Sequence, residues 1–501
     1  MRRARHLLRR MGRRLSAGAA IDELRGTRVL VAGLGASGLS AVTVLAELGA
    51  RVTAVDADPR VGDRVDLPAG VALIADADPE ALAERALGTD PAIVVTSPGL
   101  NPRTPVLAHA VTAEIPVWSE VELAWQICRP DVDWLTLTGT NGKTTTVGML
   151  ASILAAAGRN APAVGNVGTP IAETVLNSRA GGARLDALAV ELSSFQLHFT
   201  HSVSPVAGAC LNIADDHLDW HGGPTEYAAD KARVYSGARV ACVYNVADPA
   251  TRAMVETADV VEGARAVGFT LGSPGLSEVG LVEDVLADRA FVPNRSSHAA
   301  ELGTLADLAH LATGPLPPHI VANALAAAAL ARAADVPAPA VAQGLRSYAP
   351  GGHRMEHVAE IDGVRYVDDS KATNAHAAAA ALAGVEEGRA VWIAGGLAKG
   401  ARFDDLVASR RDRLRAVVVI GVDPEPIVDA LSRHAPDLPR TVVPAGDTEV
   451  MRTAVARARE YARTGDVVLL APACASMDQF RSYADRGDAF AAAVTDLAQG
   501  R

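Results

Sequence analysis

The sequence predicts an α/β protein made of three consecutive α/β domains, each a largely parallel sheet with helical crossovers. Three observations predict it. Short apolar runs alternate with Ala-rich helical stretches along almost the whole chain. Two glycine-rich loops, Gly33-x-Gly35-x-x-Gly38 and Thr138-Gly-Thr-Asn-Gly142-Lys143-Thr144-Thr145, each follow a strand pattern and open a helical one. A length of 501 residues also exceeds what one hydrophobic core organises.

Residues 1–21 form a basic tail, with seven arginines within residues 1–14 and no acid before Asp22. It reads first as a solvated tail. A second reading is weak attachment to an anionic membrane surface, with Leu7, Leu8, Met11 and Leu15 as an apolar stripe. The first domain, 22–128, opens with the strand Arg28-Val-Leu-Val-Ala, a helix from Leu39 to Leu48 and the strand Arg51–Asp56. This βαβ unit with its glycine spacing and trailing Asp56 is Rossmann-like, and it licenses an anionic diphosphate ligand on a helix N-terminus. The second domain, 129–346, opens with Trp134-Leu-Thr-Leu-Thr and ends in an Ala-rich helix over 319–334. Between them, residues 247–312 read as irregular. The third domain, 347–501, is again Rossmann-like, with strands expected at 364–368, 390–394, 416–420 and 466–470.

A net charge of −11 argues against general nucleic-acid binding, since such a body repels phosphate. The cysteines at 128, 210, 242 and 474 contain no CxxC pair, which fits a reducing compartment without disulfides or structural zinc. No apolar run reaches the ~18 residues needed to span a bilayer. A cytoplasmic location is therefore expected.

The strongest chemical signal is the loop Gly139-Thr140-Asn141-Gly142-Lys143-Thr144. Glycines let backbone N–H groups approach phosphate oxygens, and the helix N-terminus adds partial positive charge. Lys143 adds a full charge, and the hydroxyl of Thr144 or Thr145 can hold Mg²⁺. The loop departs from the general P-loop at position 137, a Leu where the first Gly would stand. Downstream, Glu191 ends an apolar strand, Asp215-Asp216-His217-Leu-Asp219 clusters hard ligands around an imidazole, and Lys231 lies on a helix. Taken singly, such a loop is usually solvated and such a lysine is usually on the surface.

In order, TGTNGKT, ELSSFQL, NIADDHLDWHG and YAADKARVY resemble the Mur ligases of peptidoglycan synthesis, and folylpolyglutamate synthetase shares parts of the pattern. Asp369-Ser-Lys371-Ala-Thr373-Asn374 and Ser476-Met-Asp-Gln-Phe480 resemble the branch of that family that adds D-glutamate. The resemblance covers about residues 27–498 and implies an ATP-dependent, Mg²⁺-assisted ligase. Its substrates would be UDP-N-acetylmuramoyl-L-alanine and D-glutamate, joined through an acyl phosphate, and a monomer is expected.

By the same resemblance, Lys143, His217 and Lys231 are the catalytic positions, and Thr144, Glu191, His217 and Lys231 surround one or two Mg²⁺ ions. Lys231 matches a lysine that the family carries as a carbamate. Asn323, His353, Arg354 and Asp369 match nucleotide contacts. Lys371, Thr373, Lys399, Ser476 and Tyr483 match the D-glutamate pocket, Tyr483 standing where the family often has Phe. Ser37, Gly38 and Asp56 match the UDP site. Ser97 and Asn166 match the muramoyl end, and Ser193 and Gln196 are further substrate-binding positions. The basic residue usual soon after Asp56 is missing, since position 58 is Asp.

Other classes explain less. A different amide ligase would not carry the Asp-Ser-Lys-Ala-Thr-Asn segment. A dehydrogenase is suggested by Gly33-x-Gly-x-x-Gly38 alone, and a binding-only protein would not need the whole set Lys143, Glu191, His217 and Lys231.

Overall fold

The computed structural model describes residues 17–312, 316–445 and 449–499, so the apolar stripe expected at Leu7–Leu15 lies outside the described residues. The chain forms two compact units. One runs to His310 and includes Ile320–Tyr348; the other takes in Leu311–His319 and everything from Ala349 onward.

The first unit holds two sheets. Strands β1 (Arg28–Ala32), β2 (Arg51–Asp56), β3 (Ala72–Ala75), β4 (Ile93–Thr96) and β5 (Val117–Ser119) pair in parallel in the order β3-β2-β1-β4-β5. The apolar residues of β1, β4 and β5 are buried on both faces, as parallel strands covered by helices require, whereas the edge strand β3 is partly exposed. A second sheet contains β6 (Asp133–Thr138), β7 (Ala163–Gly165), β8 (Ala187–Glu191), β9 (Ala207–Cys210), β10 (Ala241–Asn245), β11 (Arg265–Phe269), β12 (Glu278–Val282), β13 (Val285–Asp288) and β14 (Ala300–Thr304). Its order is β14-β13-β12-β11-β10-β9-β6-β8-β7. One apolar core runs between the two sheets, where Trp125 meets Trp134 edge-on with ring centroids 5.2 Å apart.

Residues 247–312 are not irregular. After the helix Pro249–Glu256 they extend the second sheet by β11, parallel to β10, and by β12–β14, whose β12–β13 and β13–β14 pairs are antiparallel. The buried Asp288 carboxylate accepts from Arg332 at 2.9 Å, tying this extension to the helix Pro318–Ala333. That helix, and the one at Ala36–Glu47, lie close to their expected positions.

The second unit contains β15 (Glu356–Ile361), β16 (Val364–Asp368), β17 (Ala390–Gly395), β18 (Leu414–Ile420), β19 (Arg440–Val442) and β20 (Val467–Leu470), ordered β15-β16-β20-β17-β18-β19. All its pairs are parallel except β15–β16. Apolar clusters cover both faces. No described helix is long and apolar enough to cross a membrane.

Candidate active site

In a doubly wound sheet, neighbouring strands whose crossovers leave in opposite directions open a crevice at their C-terminal ends, and ligands bind there. Each sheet has such a switch point, and each gathers residues singled out from the sequence.

In the first sheet the switch lies between β1 and β4. The loop Gly33–Gly38 follows β1, and Ser97 follows β4. A Cβ on Gly38 would lie 1.8 Å from the Gly33 carbonyl oxygen, and one on Gly33 would lie 2.9 Å from Ser97 Cβ, so this close approach needs glycine. Asp56 accepts the Leu34 N–H at 2.8 Å and the Asp58 N–H at 2.9 Å. Asp56 therefore shapes the loop through its own backbone contacts. Ser37 is half-buried on the first turn of the helix.

In the second sheet the switch lies between β6 and β9. The phosphate-loop candidate follows β6 and the Asn212–His217 segment follows β9. Gly142 has φ +83°, and a Cβ there would lie 2.4 Å from Asn323 Oδ1, so Asn323 on the long helix packs directly against the loop. Lys143 Nζ donates to the Gly139 and Thr140 carbonyls at 2.8 and 2.9 Å. The loop is clasped from the β9 side: Asn212 Oδ1 accepts the Asn141 N–H at 2.8 Å, and Thr140 Oγ1 contacts Ala214 and the Tyr227 hydroxyl. Thr144 and Thr145 fall on the first turn of the helix Lys143–Ala156.

Glu191 ends β8 and is 1% exposed. Its Oε1 accepts from Asn166 Nδ2 at 2.9 Å, while buried Oε2 has no hydrogen-bond partner. An unpartnered buried carboxylate oxygen is costly. A Mg²⁺ ion, a hard acid that takes oxygen ligands, fits that oxygen. Ser193 caps the helix Ser194–His198 by accepting the Gln196 N–H, and Gln196 Oε1 accepts the Ser193 N–H in return.

Lys231 is 2% exposed and donates to the Gly139 carbonyl at 3.0 Å, with its Nζ 4.8 Å from the Tyr227 ring centroid. Burial, aided by the positive charge of Lys143, lowers its pKa to about 7. A substantial share of neutral amine therefore exists near neutral pH. His217 has φ +52° and packs on the Phe195 ring at 4.8 Å, with Nε2 3.5 Å from Asp216 Oδ1.

In the third sheet the switch lies between β17 and β20, whose following loops meet through a Leu397–Ala475 bridge. Lys371 Nζ sits 5.0 Å from the Tyr483 ring centroid. Ser476 is buried, and Thr373 is half-buried beside Lys371. Lys399 is exposed with φ +51°. His353 Nδ1 lies 2.7 Å from Asp368 Oδ2, and a Cβ on Gly487 would lie 2.1 Å from that nitrogen. Asp369 takes the Met355 N–H at 3.3 Å, and burial raises its pKa to about 7 against the opposing pull of Arg354. Asn323 belongs to the first unit, whereas His353, Arg354 and Asp369 cluster in the second.

Two residues escaped the sequence reading. Arg486 is fully buried, and its guanidinium donates to Ser370 Oγ, the Ser370 carbonyl and the Cys474 carbonyl at 2.9–3.2 Å. It thus fastens the loop that carries Lys371 to the loop that carries Ser476. Glu120, 1% exposed, accepts the Ala172 N–H at the start of the helix Ile171–Arg179. Neither residue lies in a glycine loop that follows a strand. An arginine on a C-terminal helix that lacks an acidic partner three or four residues away was the available signal for Arg486.

Residues 27–119 match the MurD-like Mur ligase N-terminal domain, 137–331 the Mur ligase middle domain and 353–474 the Mur ligase glutamate ligase domain. A UDP-N-acetylmuramoylalanine–D-glutamate ligase of Streptomyces avermitilis is 54% identical over 94% of this chain and 99% of its own. A protein of the same name from Bifidobacterium longum subsp. infantis is 44% identical over 93% and 96%. Among solved structures, MurF from Acinetobacter baumannii aligns with a TM-score of 0.56 at 17% identity, covering 97% of this chain and 98% of that one. MurC from Thermotoga maritima aligns at 0.54 and 16%, covering 95% and 100%. These two share the fold. With the three domain matches and near-full-length identity above 40%, the chain belongs to the Mur ligase family.

Proposed function

We propose that the protein joins D-glutamate to UDP-N-acetylmuramoyl-L-alanine, cleaving ATP to ADP and phosphate, in the cytoplasmic assembly of peptidoglycan precursors. The observation that carries this reading is the near-full-length identity to relatives named for that reaction. A carboxylate does not condense with an amine in water, because its oxygen is a poor leaving group. The substrate carboxylate oxygen attacks the γ-phosphorus, the bond to the bridging oxygen breaks, and ADP leaves. The neutral amine of D-glutamate then attacks the acyl carbon, loses a proton, and expels inorganic phosphate from the tetrahedral centre. Catalysis is mostly positioning and charge neutralisation.

Lys143 and the N–H groups of the glycine loop hold the β- and γ-phosphates. Thr144, the unpartnered oxygen of Glu191 and the His217 imidazole would hold Mg²⁺. When bound, that ion would neutralise charge on the phosphate oxygens and so ease the approach of the anionic carboxylate to the γ-phosphorus. Lys231 joins them as a carbamate: its neutral Nζ bonds to the carbon of CO₂ and loses a proton, so a buried neutral amine becomes an anion. Asn323, His353, Arg354 and Asp369 contact the nucleotide. Lys371, Thr373, Lys399, Ser476 and Tyr483 receive D-glutamate, whose two carboxylates call for cations and hydroxyls. Ser37, Gly38, Asp56, Ser97, Asn166, Ser193 and Gln196 hold the UDP-muramoyl substrate.

The test is phosphate release with ATP, Mg²⁺ and UDP-N-acetylmuramoyl-L-alanine, offering D-glutamate, L-glutamate, L-lysine or meso-diaminopimelate. Turnover with D-glutamate alone is expected. Turnover with another amino acid instead would keep the ligase chemistry and overturn the roles given to Lys371, Thr373 and Ser476.

A further inference from the structure

A buried polar chain runs between the elements that carry Glu191, His217 and Lys231, and the chemistry above does not use it. Ser194 Oγ lies 2.9 Å from His221 Nε2, and His221 Nδ1 lies 2.8 Å from Asp230 Oδ2. The His221 side chain is 0% exposed, and Ser194 and Asp230 are 3% and 6% exposed. An ionised carboxylate can only accept, so Nδ1 donates to Asp230 while Nε2 is engaged by the Ser194 hydroxyl. His198 Nδ1 at 2.9 Å and Arg233 Nε at 3.4 Å hold Asp230 from its other sides. The connectivity is that of a serine hydrolase triad. Ser194, however, is only 3% exposed, which leaves no room for a substrate at its hydroxyl, so a nucleophilic role is rejected.

Location gives the chain its meaning. Ser194 stands just past Glu191, at the start of the helix Ser194–His198. His221 ends the short helix Leu218–His221, which begins directly after His217. Asp230 immediately precedes Lys231 on the helix Pro224–Ala232. The Phe195 ring stacks on His221 at 5.5 Å with an 8° interplanar angle, and its centroid is 4.8 Å from that of His217. The end of β8, the loop after β9 and the Lys231 helix are therefore joined by one imidazole with both nitrogens engaged.

We infer that His221, together with Ser194 and Asp230, is a positioning residue that fixes Glu191, His217 and Lys231 relative to one another. The inference rests on the roles proposed for those three groups. A ring bonded through both nitrogens and stacked on a neighbour has one orientation, and a partner that orients a ligand typically changes metal affinity or activity by about 10–100-fold when lost.

The test uses full-length protein and His221→Phe, which keeps a ring against Phe195 but has no nitrogen. The expected result is a fall in kcat of about 10–100-fold and Mn²⁺ binding in the presence of ADP weakened about tenfold, read by electron paramagnetic resonance. KM for D-glutamate should stay within about twofold, because its pocket lies in the other unit. His221→Asn, which returns an amide nitrogen toward Asp230, should recover part of both losses. Lys231→Ala is the control, inactive on the proposed reading.

Wild-type kcat and Mn²⁺ affinity in His221→Phe, beside an inactive Lys231→Ala, would overturn the positioning role alone. So would a loss of kcat with unchanged Mn²⁺ affinity and no recovery in His221→Asn. An active Lys231→Ala would remove the site reading and the inference with it. Should His221→Phe not fold, Ser194→Ala takes its place: weakened Mn²⁺ binding supports the role, and wild-type affinity overturns it.

Discussion

Glu191 and Lys231 are both almost fully buried, at 1% and 2% exposure, so each carries its charge chemistry away from water. Glu191 closes a short apolar run, and a carboxylate at a strand's C-terminal end in a parallel sheet points into the ligand crevice. Lys231 stood out only through its family motif; its 2% exposure, which makes the motif chemically sensible, comes from packing that no local pattern announces. Glu120 was invisible for the same reason. Burial, reinforced by the negative charge of Glu173, raises its pKa from 4.5 to about 7, while its bond to the Ala172 N–H opposes the shift. The sign of the consequence is fixed. Between pH 4.5 and 7 the folded state holds a proton that the unfolded state has released, so stability contributed by Glu120 is present below the lower value and is lost as pH rises through the upper one. Glu120→Gln cannot ionise. Across that interval, denaturant unfolding should show stability moving in the variant's favour by on the order of 2–3 kcal/mol. Parallel pH profiles for the two proteins would contradict the assignment.

Among elements, the glycine loops were legible because their spacing encodes a backbone requirement. Gly38 and Gly142 each sit where a Cβ would collide, with a carbonyl in one case and with Asn323 in the other. The segment 247–312 was not legible. Its strands lie toward a sheet edge, are half-buried and are interrupted by polar turns, so neither a continuous apolar run nor a clean alternation survives; β12 is buried at only two of its five positions. The C-terminal helix Tyr483–Ala498 was not singled out either, and nor was the arginine it carries. Arg486 is buried against carbonyls and a hydroxyl, and burial lowers its pKa to about 10. Such a group is expensive to bury and is offset here by four hydrogen bonds that lock two loops. Arg486→Met should raise KM for D-glutamate at least about tenfold and lower the melting temperature, while KM for ATP changes less. An unchanged KM for D-glutamate, measured on folded variant, would show that the two loops hold their places without it.

At the scale of the whole molecule, three sheets place three sets of groups at three switch points. The glycine loop after β1, the Gly139–Lys143 loop after β6 and the loops after β17 and β20 follow one topological rule. That repetition explains why the fold class was readable from alternation and glycine spacing alone. Long-range partnerships such as Asn323 against Gly142 were not, because they depend on how distant elements pack. On the proposed function these sites serve one reaction, in which ATP activates a substrate carboxylate as an acyl phosphate. The most direct measurement follows oxygen. UDP-N-acetylmuramoyl-L-alanine carrying ¹⁸O in its carboxylate is turned over with ATP and D-glutamate, and the released phosphate is weighed by mass spectrometry. With both carboxylate oxygens labelled, each phosphate released should carry one ¹⁸O atom, because the acyl oxygen leaves with phosphorus. Phosphate free of ¹⁸O alongside amide product would contradict it.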